Sequence, residues 1–289
     1  MSAGTGPRAA TGTAPRVAAR PLARQRRHTL HFLAEIRPFA PVFLDTDVDM
    51  TRVQRHRDAM RPHGRPYSLV AYVLHAAART LAEHPEANAA VRGRLRPRVA
   101  RYPGVSGKLA LDKTLDGQRV VLAAVLPGLE RSTLAGIQRR IDHFRDGDPA
   151  VMPEFAGARA LHRLPAPLGA LLYRLGVRPL RRRAEVFGTF AVSSLGHRPV
   201  DGFHSVGGTT VTLGLGQVAE RPAVRDGRLT TAPLMRLSLT FDHRVIDGAE
   251  AADVLTGVKE RLEEFTPEPD DGPDDDPSGL SAAREAVTP

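Results

Sequence analysis

A chain of 289 residues with 42% apolar content is long enough for one large or two small domains around a real core. It contains no cysteine, which excludes disulfides, thiolate metal sites, a cysteine nucleophile and acyl transfer through a thiol of its own. The formal charge of +9 is unevenly spread: residues 1–27 carry six Arg and no acid, and residues 266–289 carry seven acids and one Arg. Only three of the 41 basic residues are Lys (Lys108, Lys113, Lys259), and with 5% aromatics there is no basic, aromatic-rich strand suited to stacking bases. The charge fits a cationic mouth for a phosphate-bearing substrate better than a nucleic-acid surface. No run of about 18 apolar residues and no secretory leader is found, so a cytoplasmic enzyme with no membrane span is expected.

In chain order, residues 1–27 lack an apolar period and read as a disordered basic tail. The folded body is expected over 28–265, followed by a disordered acidic tail over 266–289; no repeat of 20 to 50 residues is present. VFLDTDVD (42–49) alternates, with Val42, Leu44, Thr46 and Val48 on one face, and predicts a strand. Ser68 is placed to cap a helix running to about Ala82. Strands follow at about 97–102, 105–112 and 118–126, with Asp116-Gly117 as a hairpin turn. Ser132 then caps a helix whose stripe is Leu134, Ile137, Ile141 and Phe144. Residues 157–183 are apolar and basic, broken by Pro165 and Pro167. They read as a helical hairpin covering a sheet or as a membrane-surface helix. Strands return at about 187–193, 209–215 and 234–242, and a last helix spans about 249–265. Long strands with a few helices against them predict an α+β layered domain.

The chemistry is expected in Phe241-Asp242-His243-Arg244-Val245-Ile246-Asp247-Gly248, where a strand end is followed by a helix start. Alternation puts Leu237, Leu239 and Phe241 on a dry face and Arg236, Ser238, Thr240 and Asp242 on a polar one. A neutral imidazole at His243, anchored on the dry side, is a candidate general base. Asp247 has two readings: a partner of that base, or a helix cap forming a capping box with Glu250. Arg244 is a candidate ion-pair partner for a carboxylate in the body. Phe187 to Gly196 form a strand ending in Ser193 and Ser194; a hydroxyl there is either an oxyanion donor or a satisfier of backbone groups. His28 and His31 have no carboxylate or Cys nearby to complete a metal site, and His197 and His204 share a loop with Asp201. The absence of a G-x-S-x-G elbow argues against a Ser-His-Asp hydrolase.

Together these pieces resemble the catalytic domain of the dihydrolipoamide acyltransferases of 2-oxo-acid dehydrogenase complexes, which share a chloramphenicol acetyltransferase-like fold. FDHRVIDG is similar to the family's catalytic stretch, FGTFAVSSLG to its oxyanion strand, and HPEANAAV (84–91) to its asparagine-bearing turn. The likeness runs over roughly 28–265 with the order of elements preserved. It implies His243 as base, Ser193 as oxyanion donor (Ser194 if the register is off by one) and Asp247 as the carboxylate that orders the loop. It further implies an acyl-CoA or acyl-lipoyl thioester as substrate, no covalently bound cofactor and no metal. A trimer is implied as well, with His and Ser contributed by neighbouring chains. No lipoyl or subunit-binding domain and no apolar C-terminal anchor are seen, so a stand-alone, free trimer is expected. The alternative is a non-catalytic trimeric scaffold or regulatory subunit.

Overall fold

The computed structural model describes residues 21–267, Arg94 and Asp226 excepted. Almost all of the expected acidic tail, and residues 1–20 of the basic one, lie outside the described residues. The rest of the basic stretch is not a tail. A 3₁₀ turn at Arg24–Arg26 leads into α1 (Arg27–Glu35), and the Arg27 guanidinium donates to the His162 and Leu164 carbonyls at 3.2 and 2.6 Å. The folded body therefore begins a few residues earlier than charge and composition predict.

Among the described residues eight strands follow: β1 (Pro41–Asp49), β2 (Ala89–Arg92), β3 (Arg98–Arg101), β4 (Gly107–Leu115), β5 (Gln118–Leu126), β6 (Phe190–Ser194), β7 (Val211–Arg225) and β8 (Arg228–Asp242). Six of them form one sheet in the order β1-β8-β7-β6-β4-β5, and β2 pairs with β3 alone. Pairing is antiparallel except that β6 runs parallel to both neighbours. The β4–β5 hairpin turns at Asp116 (φ 49) and Gly117 (φ 74), the positive-φ pair a two-residue turn demands.

One sheet face carries the main core. Leu109, Leu122, Phe190, Val192, Leu213, Leu237, Leu239 and Phe241 pack there, beneath α3 (Leu69–Glu83), α4 (Leu134–Asp146) and α8 (Gly248–Glu263). Ser68 caps α3 as predicted, its hydroxyl accepting from Ala71 N at 3.3 Å. The cap of α4 is Thr133 rather than Ser132. Thr133 accepts from Gly136 N at 3.1 Å, and Ser132 instead donates back to the Gly128 carbonyl at 2.9 Å. Helices α3 and α8 approach closely at Gly257, where a Cβ would sit 2.9 Å from Thr80. A further helix, α2 (Thr51–Met60), buries only Val53.

The opposite face is covered in two parts. Over β4, β5 and β6 lie α1 and three short helices, α5 (Ala156–Arg163), α6 (Ala166–Val177) and α7 (Leu180–Phe187). The expected hairpin is thus three helices, each new one starting after a proline, Pro165 or Pro179. Helix α6 leaves Leu168, Leu171 and Leu175 exposed. Among the described residues no helix is long and apolar enough to cross a membrane. Over β7 and β8 lies the segment 200–207, so close that a Cβ on Gly214 or Gly216 would stand 2.2 Å from the Phe203 carbonyl oxygen or 1.9 Å from that of Asp201. The predicted polar face of β8 is therefore dry as well, with Ser238, Thr240 and Asp242 buried.

Candidate active site

β8 ends at Asp242 because the chain turns sharply there. The Asp242 carbonyl accepts from Val245 N at 2.9 Å and Ile246 N at 3.4 Å, and the buried Ile246 side chain pins the turn to the core before α8 begins. The buried carboxylate of Asp242 holds the turn from inside. It accepts from Arg244 N at 3.2 Å, Ala40 N at 3.4 Å and the Arg244 guanidinium at 2.5 to 3.1 Å. The guanidinium stacks over the Phe39 ring at 5.3 Å. Arg244 thus has the ion-pair role expected of it, and its partner is the neighbouring Asp242, which alternation alone marked only as polar. A charge-assisted, forked pair of this kind fixes the geometry of a short loop.

His243 stands at the tip of that turn. Its backbone N donates to the Ala40 carbonyl at 2.9 Å, and its ring lies 5.4 Å from the ring of Phe241. The side chain is 47% exposed, so it leans on the dry face without being buried in it. Nδ1 lies 3.3 Å from Oδ1 of Asp247. Asp247 occupies the cap position of α8 but its side chain makes no cap bond, and Glu250 reaches His84 Nδ1 at 3.0 Å instead. The capping-box reading is therefore not realised. The Asp247 carboxylate is at ion-pair distance from Nδ1, on the exposed side of the turn, and favours the tautomer that carries its proton on Nδ1 and its lone pair on Nε2.

Ser193 and Ser194 close β6 on opposite faces. Ser194 lies on the side of Phe190 and Val192, and its hydroxyl accepts from Gly196 N at 3.4 Å. Ser193 lies on the side of Ala191 and lines a cavity under α5–α7. The sheet does not bring Ser193 to His243. Phe241 pairs with Val211, which pairs with Phe190, so the two residues are offset by five residues and two strands. At about 3.3 Å per residue and about 4.8 Å per strand this is about 19 Å.

The other singled-out residues play supporting parts. Asn88, in the asparagine-bearing turn, is buried and donates to the Tyr102 and Gly104 carbonyls at 2.8 and 3.0 Å, clamping the link from β3 to β4. His28 Nδ1 meets His162 Nε2 at 2.9 Å, and His204 stacks edge-on against Phe43. Among the described residues no group of three or more His, Cys, Asp or Glu is arranged to hold a metal. Sequence reasoning missed Lys108, fully enclosed at the inner end of the cavity. Its ammonium sits 3.9 Å from the centre of the Phe187 ring and donates to the Gly207 carbonyl. The signal available was one of only three Lys in an Arg-rich chain, set in the apolar start of β4.

Comparison with known proteins agrees with this architecture. Residues 182–268 match the family described as 2-oxoacid dehydrogenases acyltransferase (catalytic domain). A 50-residue stretch is 52% identical to the dihydrolipoyllysine-residue acetyltransferase component of the pyruvate dehydrogenase complex of Bacillus subtilis, covering 17% of this chain and 11% of that protein. The Staphylococcus aureus counterpart is 46% identical over 50 residues, covering 17% and 12%. The matched stretch is thus about a tenth of the length of these curated relatives. Among solved structures, a probable dihydrolipoamide acetyltransferase from Listeria monocytogenes superposes with TM-score 0.65 at 18% identity, over 89% of this chain and 98% of that one. The Azotobacter vinelandii dihydrolipoamide acetyltransferase, studied for the roles of a serine, a histidine and an asparagine in its catalytic mechanism, gives TM-score 0.65 at 20% identity over 90% and 96%. At such identities the likeness concerns the fold, which is the α+β, chloramphenicol acetyltransferase-like arrangement expected. The segment 182–268 is thus similar to the 2-oxoacid dehydrogenases acyltransferase catalytic domain, and the chain as a whole shares the fold of the solved dihydrolipoamide acetyltransferase cores.

Proposed function

We propose that the chain is an acyltransferase that moves an acyl group from a thioester, acyl-CoA or acyl-lipoyl, to a thiol or similar acceptor, and that it works as a homotrimer. The observation that carries this reading is the His243 loop: an exposed imidazole with the Asp247 carboxylate 3.3 Å from Nδ1, on a turn locked by the Asp242–Arg244 pair. Nε2 of His243 takes the proton of the acceptor thiol, and the thiolate attacks the thioester carbonyl, forming a new C–S bond. Ser193 donates a hydrogen bond to the tetrahedral oxyanion, a contribution of about 3 kcal/mol to the barrier. Collapse breaks the original C–S bond, and the proton on His243 passes to the departing thiolate. No covalent enzyme intermediate and no resident cofactor or metal is needed. The offset of about 19 Å between His243 and Ser193 within one chain supports an arrangement in which the pair is completed by His243 of one copy and Ser193 of another.

The test is acyl transfer from acetyl-, propionyl- and branched acyl-CoA to dihydrolipoamide, followed by release of CoA thiol. We expect turnover that His243→Ala abolishes and Ser193→Ala lowers about 100-fold. Mixing the two impaired variants should raise the activity above that of either alone, because mixed trimers regain intact His–Ser pairs. No transfer from any thioester, or activity indifferent to His243→Ala, would overturn the proposal in favour of a non-catalytic scaffold.

A further inference from the structure

The cavity beside Ser193 has a volume of about 680 Å³ and is roofed mainly by the short helices α5, α6 and α7. Its roof is Leu161, Leu164, Leu172, Val177 and Phe187; its floor is the sheet face of Lys108, Ala110, Ala191, Ser193 and Thr212. Most of the roof precedes residue 182 and so lies outside the segment that matches the family. The walls are mainly apolar; polar side chains enter from the covering helices at Thr29, His28, Glu154 and Tyr173 and from the sheet at Lys108 and Ser193. Lys108 is the charged group at the inner end, buried against Phe187 and Phe32, with no ion pair to a carboxylate among the described residues. Such a site suits a ligand with a long apolar body and one polar, acceptor-bearing end. Leu172 belongs both to the lining and to the exposed face of α6, giving the cavity an apolar mouth.

We propose that this cavity is the site for the apolar chain of the transferred acyl group, and that the chain's substrates carry about eight to twelve carbons rather than two. The inference rests on the acyltransferase reading for the identity of the ligand. At about 30 Å³ per water-sized group, a ten-carbon chain occupies about 300 Å³, roughly half the space, leaving room for the carbonyl end among Ser193 and Lys108. An acetyl group would leave most of the apolar wall uncovered. Two glycines in the lining, Gly157 and Gly176, offer a direct means of filling the space, because a Cβ on either meets nothing within 4 Å.

Calorimetric titration of the full chain with CoA, acetyl-CoA, decanoyl-CoA and free decanoate decides the matter. We expect decanoyl-CoA to bind at least tenfold tighter than acetyl-CoA, and Gly176→Leu or Gly157→Leu, at unchanged melting temperature, to erase that preference. Binding of decanoate alone supports the site with the free acid as a sufficient source. Binding of decanoyl-CoA without decanoate supports it with the thioester as the source. Equal affinity for CoA, acetyl-CoA and decanoyl-CoA, with no decanoate bound, overturns it. Decanoate binding in a protein that transfers nothing separates the two claims: the cavity stands and the acyltransferase reading falls.

Discussion

Replacing Lys108 with Met removes a charge from the driest point of the cavity while keeping an unbranched stem of similar length. Burial lowers the lysine from 10.5 to about 7, with Arg183 pushing in the same direction. An unfolded chain holds this proton up to about pH 10.5. Between pH 7 and 10.5 the unfolded state therefore binds more protons than the folded one, and stability rises with pH; below 7 both states are charged and the full penalty is present. The gap from 10.5 to 7 corresponds to about 5 kcal/mol as an upper bound. Attraction to the Phe187 ring returns about 2 kcal/mol of it, which leaves about 3. Losing the bond to the Gly207 carbonyl costs Lys108→Met about 1 kcal/mol, so the variant should be about 2 kcal/mol more stable than the unaltered chain at pH 7. That advantage should vanish or reverse by pH 10, because the unaltered chain gains stability with alkalinity and the Met variant does not. Urea unfolding of both proteins at pH 7, 8.5 and 10 measures the difference. A Met variant that is less stable at pH 7, or an offset independent of pH, would refute the argument that the ammonium is buried at a cost.

Two further perturbations probe the architecture. Asp242→Asn leaves the Arg244 guanidinium without its buried counter-charge and should cost about 2 kcal/mol in denaturant unfolding; because the turn it locks carries His243, kcat should fall more than KM rises. Gly216→Ala drives a Cβ into the Asp201 carbonyl oxygen and should destabilise by about 3 kcal/mol, whereas Gly227→Ala, where no atom lies within 4 Å, is strained only through its backbone φ of 73° and should cost about 1. Equal losses at the two glycines would show that segment 200–207 is not laid across β7.

Much of the fold was legible because the local signals were the physical cause of the structure. Alternation in 42–49, the Asp116-Gly117 turn, the Ser68 cap and the apolar stripe of α8 each appear where expected. α2 was invisible since TRVQRHRDAM buries one apolar residue and so shows no stripe. Adjacent hydroxyls at Ser132 and Thr133 give the same cap signal, and only the backbone decides between them. The polar face of β8 misled for another reason. Alternation reports side-chain chemistry, and a remote segment, 200–207, decided that Ser238, Thr240 and Asp242 are dry. At the candidate site the sequence marked His243, Asp247 and Ser193. It could not show that Asp242 clamps the turn or that His243 and Ser193 lie far apart in one chain, since both follow from strand register and not from residue type.

One of the two edge strands of the large sheet, β1, has its own consequence for solubility. Phe43, Asp45 and Asp47 stand on its outward face, and Arg236 from β8 binds both carboxylates. Another strand docking along that border would crowd these ionised groups, at several kcal/mol for each carboxylate stripped of water. The sheet thus carries a built-in guard against fibre-like growth from that border, and a neutral pair such as Asn at 45 and 47 would weaken it.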